Sequence, residues 1–247
     1  MNTIQRSWYD LLISDKGLKL KNLSGIINDS TQIGLVVAHP DDEVFFFSNL
    51  LILYGAQVQI YCVTDGNYDN NGRRRMSQIN KVSVALTGKE VVCLGFADHP
   101  DHDLDIEIIS EALKKTKLKS DDFIVTHAPH GDYGHLNHRD SYFSVVRAFP
   151  DKMVLFCADY VIPDFELKLE ASDFIKKQNL FFRNYFDEYR QFWKYRPITY
   201  YELYATCDLE EASSIGKLVL EGDLPDISKL KKYELFWKIL APRRLLK

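Results

Sequence analysis

A doubly wound α/β fold with a mostly parallel sheet is what this chain of 247 residues predicts. Three observations carry the prediction. Short β-branched and aliphatic runs recur, each followed by a stretch with helical periodicity. The alternation continues from about residue 32 to about residue 161, which argues for parallel strands joined by crossover helices rather than for hairpins. The first such run, Ile33-Gly34-Leu35-Val36-Val37, ends in Ala38-His39-Pro40-Asp41-Asp42-Glu43. That puts a histidine and two adjacent carboxylates at the carboxyl end of a strand, where open α/β sheets keep their ligand sites.

Taken in order, residues 5 to 22 form a mixed amphipathic segment and predict a helix laid across the core. Gln32–Ala38 is the first strand and Glu43–Tyr54 the first core helix. Gln57–Thr64 alternates as a second strand, and a polar loop from Asn67 to Gly72 leads into three arginines and a helix to about Thr87. Glu90–Phe96 is the third strand and Ile106–Lys117 a helix whose Ile108, Ile109, Ala112 and Leu113 share a face. Asp122–His127 is the fourth strand, Arg139–Phe149 a helix and Met153–Val161 the fifth strand. The expected Rossmann-like order is 3-2-1-4-5.

Beyond Pro163 the pattern changes. Phe165–Leu169 and Ile198–Cys207 read as strands, Asp173–Trp193 as one long aromatic-rich helix, and two weaker helices follow. With no linker and no repeat, the expectation is one domain over 1–247. Its core is about 31–162, with a C-terminal α/β elaboration over about 163–247.

Composition narrows the function. The chain is 46% hydrophobic with a net charge of −4, so it can bury a sizeable core and offers no global basic field to nucleic acid. Cys62, Cys93, Cys157 and Cys207 form no CxxC pair, which argues for free thiols in a reducing compartment. Charges interrupt the N-terminal apolar stretch, and no run approaches the roughly 18 residues of a spanning helix. A soluble cytoplasmic protein is the expectation.

His39 and Asp42, with two residues between them, can bind one metal ion and leave Asp41 beside it as a base, the start of a zinc hydrolase site. In the expected strand order the first and fourth strands are neighbours, so their loops meet at the switch point. Six of the seven histidines lie between His99 and His138, four of them in the loop from Thr126 to His138, so the missing ligands are sought there. Three protein ligands and an open fourth position is the arrangement of catalytic zinc.

AHPDDE at 38–43, with TH at 126–127 and GHxxH at 134–138, resembles the PIG-L/LmbE family of zinc-dependent de-N-acetylases over roughly residues 31 to 160. The resemblance implies His39, Asp42 and His138 as zinc ligands, Asp41 as general base, and His135 as the second histidine of the mechanism. It also implies Arg75 as a substrate contact. Two departures are visible: Asn137 stands where many relatives carry aspartate, and Gln78 where a glutamate is usual. Asn137 and His127 are expected on the substrate side with Arg75, His127 and His130 shaping the cleft rather than binding the ion.

The activity so implied is removal of an N-acetyl group from an N-acetylated sugar, nucleotide sugar or glycolipid. Zinc lowers the pKa of a bound water to about 7, Asp41 moves its proton, and His135 hydrogen-bonds the oxyanion. Amidase action on a larger acyl-amino-sugar conjugate, and a catalytically silent metal-containing sugar-binding module, are the alternatives. Arg73, Arg74 and Arg75 oppose the helix dipole at their helix start, which favours an anionic substrate group. Asp65-Gly66 reads as a turn, and Asp98 and Asp103 as a solvated loop. The apolar and basic tail from Phe236 to Lys247 reads as a packed helix, with weak membrane-surface contact as the alternative.

Overall fold

The central strand is apolar at every position, and both of its faces are covered. A computed structural model describes residues 19–99, 102–158, 160–192, 198–218 and 231–233. In it β2 (Ile33–Val37) is wholly buried, as a parallel strand with helices on both sides must be. Ile33, Leu35 and Val37 face one apolar cluster with α1 (Asp42–Tyr54) and α2 (Gly72–Thr87). Val36 faces another cluster with α3 (Ile106–Lys114) and α4 (Leu136–Ala148).

Among the described residues, eight strands form one sheet. Besides β2 they are β1 (Lys21–Asn22), β3 (Val58–Thr64), β4 (Val92–Phe96), β5 (Phe123–Thr126), β6 (Val154–Cys157), β7 (Phe165–Lys168) and β8 (Tyr201–Ala205). Their order is β1-β7-β8-β6-β5-β2-β3-β4. The parallel part therefore reads β4-β3-β2-β5-β6, the 3-2-1-4-5 arrangement in the numbering of the five expected core strands. Side chains lock the carboxyl ends together: Thr64 Oγ1 donates to Ala38 O at 2.8 Å and Thr126 Oγ1 to Val36 O at 2.9 Å.

The C-terminal third extends the same sheet. β8 runs antiparallel to β6 and to β7, and β1 runs parallel to β7. α5 (Ala171–Asn184) lies over α1 and α2, α6 (Phe186–Phe192) continues from it and meets α2 through Glu188 and Arg74, and α7 (Leu209–Gly216) follows β8. From β8, Glu202 reaches α1 where that helix breaks at Phe47 (φ −133°, ψ 20°). Its carboxylate accepts from the N–H groups of Asn49 (2.7 Å) and Leu50 (3.3 Å) and from Ser48 Oγ (3.1 Å), capping the second half of the helix from outside. Lys177 supplies the buried countercharge at 3.3 Å.

Four expectations are corrected. The long helix over 173–193 is two helices, broken at Tyr185 (φ −131°, ψ 36°) because that side chain turns into the core. The helix over 106–117 stops at Lys114, and Thr116 caps a short 3-10 turn over Lys117–Ser120 instead. α4 begins at Leu136 rather than Arg139, since His135 serves as its cap. Residues 21 and 22 are strand rather than the end of a helix, and the rest of that expected helix up to residue 18 lies outside the described residues. The tail from Phe236 lies outside them too. No helix among the described residues is long and apolar enough to cross a membrane.

Candidate metal centre and active site

The loop after β2 holds a backbone conformation that a residue with a Cβ rarely adopts. Asp41 has φ 139° and ψ −26°, a strain on the order of 1–3 kcal/mol that its surroundings must hold. It occupies the N-cap position of α1 yet makes no side-chain cap hydrogen bond. Asp41 therefore does not act as a helix cap. Its N–H donates to Glu43 Oε2 at 3.0 Å, and Arg75 Nη2 donates to its Oδ2 at 3.1 Å and to Pro40 O at 3.2 Å. Asp42, next in the chain, turns the other way and accepts the His39 N–H at 2.7 Å.

The loop after β5 is as tightly prescribed. Gly131 (φ 76°) receives the N–H groups of Gly134 and His135 on its carbonyl, and a Cβ there would meet His135 O at 2.3 Å. Only glycine fits so close a turn. Asp132 (φ 59°) is fully buried, and its Oδ2 lies 2.7 Å from His127 Nδ1 and 2.8 Å from His138 Nδ1. Its Oδ1 accepts the Ala128 N–H at 3.1 Å. One carboxylate thus fixes two imidazoles.

The two loops converge. His39 Nδ1 is 3.2 Å from Asp42 Oδ2 and 3.2 Å from His138 Nε2, and His138 Nε2 is 3.4 Å from Asp42 Oδ1. Ligands at about 2.0–2.2 Å around a tetrahedral zinc stand about 3.4 Å apart. Two imidazoles and a carboxylate at those separations fit such an ion. Each imidazole also has its far nitrogen on a carboxylate, His39 Nε2 on Asp98 (3.4 Å) and His138 Nδ1 on Asp132 (2.8 Å). Metal-binding histidines are oriented in that way. Donor atoms of His39, His135 and His138, and those of Asp42, His127 and His138, also lie within 4.8 Å of one another, so the cluster as a whole is able to hold a metal ion. Within it, His127 has Nδ1 2.7 Å from Asp132 Oδ2, while its Nε2 lies 3.0 Å from the Ala38 N and 3.3 Å from Asp42 Oδ2.

Charge is divided sharply between the neighbouring aspartates. Burial works against ionising Asp42, but His138 and His127 outweigh it and hold that carboxyl well below the usual range. Burial pushes the Asp41 carboxyl up to about 7, although Arg75 opposes the shift. A base near neutral pH is the useful kind. His135 is pushed down to about 2 by burial and by the neighbouring imidazoles of His138 and His39. Its Nδ1 accepts the Asn137 N–H at 3.3 Å, so the neutral ring carries its proton on Nε2 and can donate from there.

The remaining expected residues are placed as follows. Arg75 binds the Asp41 loop, with Nη1 also 3.2 Å from Gly66 O and 3.5 Å from Asp98 Oδ2. It braces the base through these contacts. Asn137 touches His135 only through its backbone; its side-chain Nδ2 is 3.3 Å from His39 Nε2 and 3.4 Å from Asp98 Oδ1. Asn137 Oδ1 and Arg75 Nε are buried without a hydrogen-bond partner among the described residues. His127, fully buried behind the cluster with both nitrogens engaged, is a brace rather than a substrate contact. His130 packs edge-on against Tyr233, ring centroids 6.1 Å apart.

Asp98 corrects the sequence reading most directly. It is buried rather than solvated, and joins His39, Arg75 and Asn137. Asp65, in its turn, accepts the Asp98 N–H at 3.2 Å. Asp132 was missed altogether, and so was Tyr133, whose ring stands 5.5 Å from that of His138 and remains 37% exposed beside the cluster. Position at the carboxyl ends of β4 and β5 is the signal that marks the two aspartates.

Residues 35–149 match the sequence model of PIG-L, described as GlcNAc-PI de-N-acetylase. The chain is 31% identical over 134 residues to the N-acetylglucosaminyl-phosphatidylinositol de-N-acetylase of Saccharomyces cerevisiae, covering 49% of this chain and 44% of the yeast protein. It thus spans less than half the length of that relative. In fold it is similar to the N,N'-diacetylchitobiose deacetylase of Pyrococcus horikoshii, with a TM-score of 0.59 and 14% identity over 93% of this chain and 98% of the other. A deacetylase of the teicoplanin biosynthesis pathway aligns with a TM-score of 0.53 and 12% identity over 72% of this chain and all of the other.

Proposed function

We propose, from the match of residues 35–149 to the PIG-L family model, that this chain is a metal-dependent hydrolase removing the acetyl group from an N-acetylated amino sugar, with zinc as the ion. The substrate class is N-acetylglucosamine in a glycolipid or other glycoconjugate, in line with the names of the yeast and Pyrococcus proteins. The observation that carries the proposal is the mutual 3.2–3.4 Å spacing of His39, Asp42 and His138, with Asp41 left outside that triangle.

Bound by those three residues, zinc would supply Lewis acidity and lower the pKa of water to about 7. Asp41 takes a proton from the attacking water and passes it to the departing nitrogen, so one carboxyl serves as base and then as acid. Arg75 holds Asp41 in place through the 3.1 Å contact. His135 donates from Nε2 to the oxygen that becomes negative as the carbonyl turns tetrahedral, a contribution whose loss costs about 100- to 1000-fold. Asn137 Oδ1 and Arg75 Nε, both without partners among the described residues, bind the sugar's polar groups. Water adds to the acetyl carbon, the C–N bond breaks, and acetate and the free amine leave.

The test is acetate release from a panel containing N-acetylglucosaminyl-phosphatidylinositol, di-N-acetylchitobiose and free N-acetylglucosamine, with the zinc-loaded protein. The expected result is equimolar acetate and free amine from at least one of them, with preference for the lipid-linked sugar. Binding of a panel member without any turnover would overturn the hydrolase reading and favour the silent sugar-binding module. Release of a longer acyl chain but no acetate would favour the amidase.

A further inference from the structure

The base sits on a strained residue, and the support for that residue comes from the C-terminal third of the chain. Glu43 is fully buried and uses both carboxyl oxygens: Oε2 accepts the Asp41 N–H at 3.0 Å, and Oε1 meets the Tyr185 hydroxyl at 2.5 Å. Tyr185 is fully buried as well, and lies at the break between α5 and α6. The helical hydrogen bonds on either side survive, Tyr185 N–H to Phe181 O at 2.9 Å and Tyr189 N–H to Tyr185 O at 2.8 Å. The break therefore turns this one side chain inward without unravelling the helices.

Contacts around it fix the break in place. Gln78 Nε2 donates to Asn184 O at 2.6 Å, Arg74 Nη2 pairs with Glu188 at 2.9 Å, and the Phe181 ring meets Phe45 edge-on at 5.1 Å. Gln78 must donate to a carbonyl here, which a carboxylate cannot do. That accounts for an amide where the resemblance leads one to expect glutamate. α2 thus carries Arg75 toward Asp41 from one side while α5 and α6 hold Glu43 from the other.

Resting on the assignment of Asp41 as the base, we infer that Tyr185 is a positioning residue for it, acting through Glu43. The Tyr185 hydroxyl fixes the Glu43 carboxyl, which holds the Asp41 N–H and with it the φ of 139° that aims the Asp41 side chain away from the helix cap and toward Arg75. Tyr185 is fully buried and its hydroxyl bonds Glu43 rather than an expected ion ligand, so its removal changes aim and not composition.

Tyr185→Phe keeps the ring and removes only the hydroxyl. The expected result is a kcat lowered about 10- to 100-fold, the scale of a small misplacement of a catalytic group, with KM and zinc affinity unchanged. Hydrogen exchange of the Asp41 amide should quicken about tenfold relative to amides of β2, a change that a general loss of stability would spread over both. Tyr189→Phe, on α6 but away from Glu43, should change none of these. Glu43→Gln should quicken the same amide, and the double variant with Tyr185→Phe should add little further. Unchanged kcat and unchanged Asp41 exchange in Tyr185→Phe would overturn the inference, as would full additivity in the double variant. If the native protein releases no acetate, the base assignment fails on that ground, whereas the exchange arm still decides whether Tyr185 holds the Asp41 backbone.

Discussion

The parallel half of the sheet and its antiparallel extension spend their buried charge differently. At the carboxyl ends of β2, β4 and β5, Asp42, Asp98 and Asp132 each lie against imidazole nitrogens, and the cluster leaves donor atoms turned toward a common point. In the extension, Glu202 and Lys177 are equally buried but fully consumed by Ser48, Asn49, Leu50, Tyr204 and each other. The first set is arranged around something still to be bound; the second is closed upon itself and braces α1. Burial of charge alone does not mark a functional site. Donor atoms of several side chains gathered within reach of one point do so better.

Substitutions in the two regions should separate accordingly. Asp41→Asn should lower acetate release by about 100- to 10,000-fold while zinc content, read by metal analysis, stays near that of the native chain; retained turnover would remove Asp41 from the mechanism. In the extension, Lys177→Met strands Glu202 as an unpaired buried charge and should cost about 3–5 kcal/mol in urea unfolding, with zinc affinity of the folded protein little altered. A variant that lost metal without losing stability would erase the contrast. Asp132→Asn should weaken zinc binding about 10- to 100-fold, since it orients a proposed ligand without being one, and competition with a chromophoric chelator would measure it. The smallest effect is expected far from both regions: Gly88→Ala, at φ 73° with open space around the new Cβ, should cost about 1 kcal/mol of stability and nothing in metal binding.

Much of the parallel half was legible because its signals are local. The run from Ile33 to Val37 is apolar at every position, as a strand covered on both faces requires. Right-handed crossovers then leave few orders for five strands, so His39 and His138 could be brought together on paper from 99 positions apart in the sequence. What escaped was settled by tertiary contacts. Tyr185 lies inside a run whose periodicity says helix, and a hydrogen bond to Glu43 overrides it. Leu136 begins α4 because a histidine ring nitrogen takes the capping role that sequence rules reserve for Ser, Thr, Asp and Asn. Asp98 and Asp132 stand in polar loops where a carboxylate ordinarily meets water, and only the fold shows them buried against imidazoles.

The central claim is that His39, Asp42 and His138 hold one divalent ion between them. Equilibrium dialysis of the metal-free chain against zinc, with His39→Ala and His138→Ala alongside, tests it most directly. One tightly held ion per native chain is expected, with sharply weakened binding in each variant. A native chain that binds no zinc, or variants that hold it as tightly as the native chain, would contradict it.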